Sequence, residues 1–174
     1  MRRNARNIRS NASRNTSFPS DIQAQPKFQR VFRFQLDADR TAVAIYRECL
    51  LNLLLSTSTT TKAVALIEAI RLDRVCMWAP ADATSDGFNE LSLTWLGPRA
   101  PASRTAAMGN SFKPGHISEK PPPDSTIGYW SVHGSNESDK LLQITAPAKT
   151  IVDIHATFVL ESGAVATCSG MDRD

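Results

Sequence analysis

The chain has 174 residues, 41% hydrophobic and 21% charged, with a formal net charge of +3. No run approaches the ~20 apolar residues needed to span a bilayer, and no apolar segment follows the N-terminal arginines as a secretory signal requires. Cys49, Cys76 and Cys168 are odd in number and lack C-x-x-C spacing, which excludes a disulfide framework or a cysteine zinc site and suits a reducing compartment, where the sequons at Asn11, Asn15 and Asn136 carry no weight.

The first thirty residues differ from the rest. Arg2, Arg3, Arg6, Arg9 and Arg14 lie among asparagines and serines, with no acid before Asp21. With Lys27 and Arg30 this segment sums to +6, so a chain of +3 leaves −3 for residues 31 to 174. Too little apolar surface is present to offset the entropy of ordering it, so residues 1–26 are expected to be a disordered basic arm. A polyanion held by the arm alone follows from this charge segregation. Nucleic acid fits better than an anionic membrane, because the arm has no apolar face. Arginine binds phosphate through two parallel hydrogen bonds and stays charged at any working pH. Arg2, Arg3, Arg6, Arg9 and Arg14 are therefore the candidate nucleic-acid-binding residues.

Residues 27–174 have length enough for one domain with one core. From Phe28 to Leu36 the even positions are Phe28, Arg30, Phe32, Phe34 and Leu36, the period of a strand with one buried face. A second short strand is expected at Thr41 to Ile45. Ile45, Tyr46, Cys49, Leu50, Leu53 and Leu54 then fall on one side of a 3.6-residue period, predicting two to three helical turns that the Ser/Thr run from Ser56 to Thr61 ends. Ala63 to Ala69 suits helix or strand equally. Ile70 to Trp78 reads as a strand stopped by Ala79-Pro80. After a polar turn from Asp82 to Phe88, the alternation of Leu91, Leu93 and Trp95 predicts its antiparallel partner. Residues 97 to 125 carry Pro98, Pro101, Pro114 and Pro121 to Pro123, and are expected to be mainly loop with one extended segment near His116.

Further strands are expected at Gly128 to Val132, Leu141 to Thr145 and Thr150 to Leu160, with a last one at Gly163 to Cys168. Within Thr150 to Leu160, Val152, Ile154, Ala156, Phe158 and Leu160 face one way and Asp153, His155 and Thr157 the other. Seven to nine short strands, one helix and long loops predict an all-β antiparallel sandwich.

No phosphate loop, dinucleotide fingerprint, nucleophile elbow or H-E-x-x-H pair is present, so no catalytic residue, cofactor or small-molecule substrate is assigned. His116, His133 and His155 lie on separate elements and read as surface or loop histidines. Glu137, Asp139, Asp153 and Glu161 are weighed as hard ligands for calcium and set aside as solvated loop acids, so no metal site is assigned. Trp78, Trp95 and Trp130 could stack bases, but all three sit in strand-like runs, where filling the core is the simpler role. Pro121 to Pro123 reads as a rigid loop and not as a polyproline ligand.

Four phrases carry a resemblance: Ala69-Ile70-Arg71-Leu72-Asp73-Arg74-Val75-Cys76-Met77-Trp78, Gly128-Tyr129-Trp130-Ser131, Gly134-Ser135-Asn136-Glu137-Ser138-Asp139 and Thr150-Ile151-Val152-Asp153. In this order, over about residues 28 to 165, the chain resembles the capsid proteins of small circular Rep-encoding single-stranded DNA viruses, and is similar to the single jelly-roll coat proteins of plant satellite viruses. The resemblance implies a jelly roll of two four-stranded sheets and a homo-oligomer of sixty copies closed into the smallest icosahedral (T=1) shell. Each arm would point inward at a single-stranded DNA or RNA genome, and the protein would reside in the virion, with the host nucleus as a site of assembly. Relatives continue past Gly163 to Gly170 with an apolar strand, where this chain has Met171-Asp172-Arg173-Asp174. Two other readings remain open: a non-viral single-stranded nucleic-acid-binding sandwich, and a cupin-like enzyme, which would need clustered histidines and a carboxylate.

Overall fold

Strands of period two with one apolar face must bury that face against another layer, and the chain solves this with two antiparallel sheets. The computed structural model describes residues 26–57, 63–80, 89–97, 102–110, 112–123 and 125–161. The arm through residue 25, the turn expected at Asp82 to Phe88 and the strand expected at Gly163 to Cys168 lie outside the described residues.

In chain order the elements are β1 (Lys27–Gln35), β2 (Arg40–Tyr46), helix α1 (Arg47–Leu51), β3 (Leu55–Thr57), β4 (Ala63–Ala65), β5 (Ile67–Trp78), β6 (Asn89–Trp95), β7 (Ser103–Gly109), β8 (His116–Glu119), a 3-10 turn at Thr126–Gly128, β9 (Ser131–Val132), β10 (Lys140–Ala146) and β11 (Ile151–Leu160). The first sheet runs β1-β11-β5-β8, with β9 also on β5; the second runs β2-β10-β6-β7. Apart from the small β3-β4 hairpin and β9, eight strands remain. The first pairs with the last, the second with the seventh, the third with the sixth and the fourth with the fifth. A ribbon rolled up in this way is a jelly roll.

The core lies between the two sheets. Ile70, Leu72, Val75, Met77, Val152, Ile154 and Phe158 face Leu91, Leu93, Trp95, Leu142 and Ile144, all buried. Phe158 packs against Phe28 and Phe32 with ring centroids 5.9 and 6.0 Å away, which fastens edge strand β1 to β11. The alternation expected in β11 holds from Val152 to Phe158, whereas Leu160, at the strand end, is 37% exposed. Gly109 closes the crossing from β7 in one sheet to β8 in the other. A Cβ there would lie 2.3 Å from the backbone nitrogen of Gly115, so only glycine fits.

Several expectations are corrected. The helix spans only Arg47–Leu51, because Leu55 is drawn into β3 opposite Ala65 and the backbone N–H of Leu66 donates to the carbonyl of Leu54. Strand β6 does not pair with β5 but with β10 and β7 in the opposite sheet; its link to β5 is long enough to cross the ~10 Å sandwich, not tight enough for a hairpin. Residues expected to be loop form β7, whose Ser-Arg-Thr-Ala-Ala-Met-Gly sequence has little strand preference and is held by its ladder to β6. Gly128 belongs to a 3-10 turn, leaving only Ser131–Val132 as strand. The strands number eleven among the described residues, three short ones being added to the eight of the jelly roll.

Candidate nucleic-acid interface

Arg2, Arg3, Arg6, Arg9 and Arg14 lie outside the described residues, so the interface is built here from the shell domain. Paired residues in adjacent strands share a face, and registers place Val31, His155 and Arg74 in one outward row of the first sheet, with Gln29, Thr157 and Arg71 in the next. By strict alternation Arg71 and Arg74, three residues apart, would point to opposite faces. They do not, because His155 pairs with Arg74 and Ala156 with Leu72, leaving Asp73 as an extra residue in β5. This β-bulge turns both arginines outward while keeping Leu72 and Val75 buried.

The outward face of the first sheet is charged and structured. Arg33 donates from Nε to Asp153 Oδ1 at 2.8 Å and from Nη2 to Oδ2 at 2.7 Å. The Arg33 hydrogen bond holds the Asp153 carboxyl below the usual carboxylate range despite burial, and Asp153 in turn raises the Arg33 guanidinium. Arg71 Nε donates to Asp73 Oδ1 at 3.0 Å and Thr157 Oγ1 donates to Asp73 Oδ2 at 2.5 Å, so that acid is answered locally. The Arg71 guanidinium and the Lys27 ammonium lie 5.6 and 5.7 Å from the Trp130 ring centroid. Beside them an open groove of about 910 Å³ runs between this face and the segment from Lys120 to Tyr129. Among the described residues Arg71, Arg74 and Lys120 line it with one acid, Asp73, while Arg30 borders it from the strand β1, its register partner Ala156 facing the core.

The second sheet is different. Along β6 and β10 its outward positions are Ser92, Thr94, Gln143 and Thr145. Its exposed Glu90 is paired with Arg104.

The remaining sequence candidates are dispersed. His116 stacks on Trp78 at 5.2 Å, His133 Nδ1 is 3.2 Å from Glu137, and His155 Nε2 lies 3.7 Å from the Cys76 thiol. Among the described residues no group of three His, Cys, Asp or Glu side chains could hold a metal ion. The four weighed acids also separate. Glu137 accepts from the Gly134 N–H at 2.7 Å, which holds its carboxyl low; Asp139 pairs with buried Arg47 at 3.3 Å; Asp153 pairs with Arg33. Glu161 follows β11 and hydrogen-bonds through its backbone to Leu66. Asp153, expected to be a solvated acid, is buried because β1 and β5 flank it. Of the three tryptophans only Trp95 fills the core; Trp78 and Trp130 are half-buried and engage His116, Lys27 and Arg71. The groove cations were not singled out from sequence, since the bulge that groups Arg71 with Arg74 breaks the period on which such a reading depends.

No helix among the described residues is long and apolar enough to cross a membrane. No family model and no curated protein matches the sequence. Solved structures of small icosahedral virus capsid proteins are similar to it over most of the chain. The virus-like particle of extra small virus from the giant freshwater prawn Macrobrachium rosenbergii is 11% identical, with 83% of this chain and 86% of that chain covered and a TM-score of 0.48. Desmodium yellow mottle tymovirus is 11% identical over 85% and 95%, with a TM-score of 0.45. The BFDV capsid protein in its decameric form is 15% identical over 78% and 98%, with a TM-score of 0.34.

Proposed function

We propose that the protein is a non-enzymatic capsid subunit that self-assembles into a small icosahedral shell and holds single-stranded nucleic acid through Arg2, Arg3, Arg6, Arg9 and Arg14. The single observation that carries this reading is the rolled pairing of first strand with last and second with seventh, the jelly roll that viral coats use as a building unit. The core is filled by side chains, and the arm's positive charge is set apart from a body of opposite sign. Sixty copies would gather about three hundred arm positive charges in one interior, where weak contacts add through multivalency. The virion is then the protein's location, with passage through the host nucleus during assembly.

Light scattering on the purified protein tests the shell. Sixty chains of 19.1 kDa give particles on the order of 1 MDa. Monomers or small oligomers would instead favour the sandwich as a free single-strand-binding protein. Electron microscopy after nuclease digestion tests the cargo: protected nucleic acid inside closed particles is the expected result. Neutralising Arg2 and Arg3 together should flatten the salt dependence of binding by about 1.4 in log–log slope, two contacts at roughly 0.7 each for single strands.

A further inference from the structure

The groove on the first sheet holds more positive charge than its own surroundings use. Of its three cations only Arg71 is matched, by Asp73. Arg74 and Lys120 form no ion pair with any described residue, although the body of the chain carries net negative charge. Lys120 is exposed and Arg74 is half-buried, so these two cationic groups meet solvent in one concavity, whereas Arg30, opposite core-facing Ala156 in the register, leaves β1 on the other face. Two structural devices keep them there. The bulge at Asp73 turns Arg74 to the outward face, and the Pro121 to Pro123 run forms a stiff wall next to Lys120. Tyr129, 63% exposed, lines the same groove and offers an aromatic face with its rim free.

We infer that this groove is a second binding surface for single-stranded nucleic acid, separate from the arm: Arg74 and Lys120 take neighbouring backbone phosphates, and Tyr129 stacks a base. The two cations supply a sequence-blind electrostatic track, and the ring supplies the contact that distinguishes a nucleobase from a bare polyanion. Identifying the polyanion as nucleic acid rests on the proposed function, but the site itself does not depend on the arm. Among the described residues the second sheet offers no counterpart: along β6 and β10 its outward groups are hydroxyls and amides, and on edge strand β7 Arg104 is closed by Glu90 beside the exposed apolar Met108. A strand bound in the groove would therefore run along one side of the sandwich only.

The test is the salt dependence of binding of a twenty-nucleotide oligothymidylate to the full chain, comparing wild type, the groove variant R74Q/K120Q, the arm variant R2Q/R3Q and Y129A. The groove variant is expected to lower the log–log slope by about 1.4, two phosphate contacts at roughly 0.7 each. The arm variant should lower it by about 1.4, and the two losses should add in the combined variant. A wild-type slope in the groove variant, with flattening in the arm variant, overturns the groove and leaves the arm standing. The reverse result removes the arm's role and upholds the groove. Y129A should weaken binding about 5- to 100-fold with no change of slope, because stacking carries no counterion release; unchanged affinity would reduce the groove to a general polyanion site and overturn the nucleic-acid assignment. A measurement without any substitution guards against misfolded variants. Oligothymidylate should protect Lys120 of the wild-type chain from amine acetylation while leaving Lys149, in the β10–β11 turn, reactive; equal labelling of Lys120 with and without the oligonucleotide counts against the site.

Discussion

The two sheets share a core but present opposite outward faces. On the first sheet, arginines and lysines sit over a bulged strand, with two acids held by Arg33 and Arg71, and Arg74 and Lys120 without an ion pair among the described residues. On the second, hydroxyl and amide side chains cover the central strands, and each edge strand carries a closed ion pair, Arg104 with Glu90 at β7 and Arg40 with Asp37 at β2. Their inward faces are interchangeable in chemistry, Met77 and Ile154 meeting Leu93 and Ile144. The inward face of a strand is therefore a packing decision common to both layers, while the outward face is free to specialise, and only one layer has done so.

Breaking the shared part should hurt most and without regard to layer. Met77→Ala in the first sheet and Leu93→Ala in the second, both fully buried, should each cost about 2 to 5 kcal/mol in urea unfolding; a loss confined to one of them would show that the sheets do not form one core. Next comes the joint between the layers. Gly109→Ala forces a methyl group into the backbone of Gly115 and should cost about 1 to 3 kcal/mol, read as a lower melting temperature.

Smaller effects sharpen the difference between the outward faces. Asp153→Ala removes a buried carboxylate that takes two hydrogen bonds from Arg33 and should cost about 1.5 to 3 kcal/mol at neutral pH, the scale of hydrogen bonds to charged groups. The sign of its pH dependence is fixed by the lowered carboxyl. Its contribution is complete above the unfolded-state value near 3.9 and is lost as pH falls through the lower folded-state value. Wild type should accordingly lose stability below about pH 4 more steeply than D153A does, and Glu137 and Asp37, also held low, should leave the variant some residual acid sensitivity. Glu90→Ala on the second sheet removes half of an exposed pair and should cost only about 0.2 to 1 kcal/mol, an effect that salt abolishes. If E90A proved as costly as D153A, the contrast between buried and exposed outward pairs would be wrong.

The sandwich could be read from sequence where a strand keeps strict alternation. β11 does over Val152, Ile154, Ala156 and Phe158, all buried, whereas β1 keeps the spacing but not the expected buried face: as an edge strand it leaves Phe28 and Phe34 exposed and Phe32 half-buried. β7 could not be read, since its order comes from the ladder to β6 and not from its own side chains. Pairing of β5 with β6 looked natural because they are neighbours in sequence, yet the rolled topology sends these two to opposite sheets and pairs β6 with β7 instead. The groove was hidden for a narrower reason: one inserted residue, Asp73, shifts the face of everything beyond it in β5. The arm expected over residues 1–26 is a reading of charge segregation in the composition, and its five arginines lie outside the described residues.

Pairing of the first strand with the last sets a timetable for the growing polypeptide. β1 leaves the ribosome early, but its partner β11 ends at Leu160. At about 5 to 20 residues per second, synthesis of the intervening chain takes roughly 6 to 25 s. During that interval Phe28, Phe32 and Phe34 have no mate, and closure must wait for contacts between the two ends of the domain, which makes folding slow. A chaperone that shields nascent aromatic segments would find its target in β1.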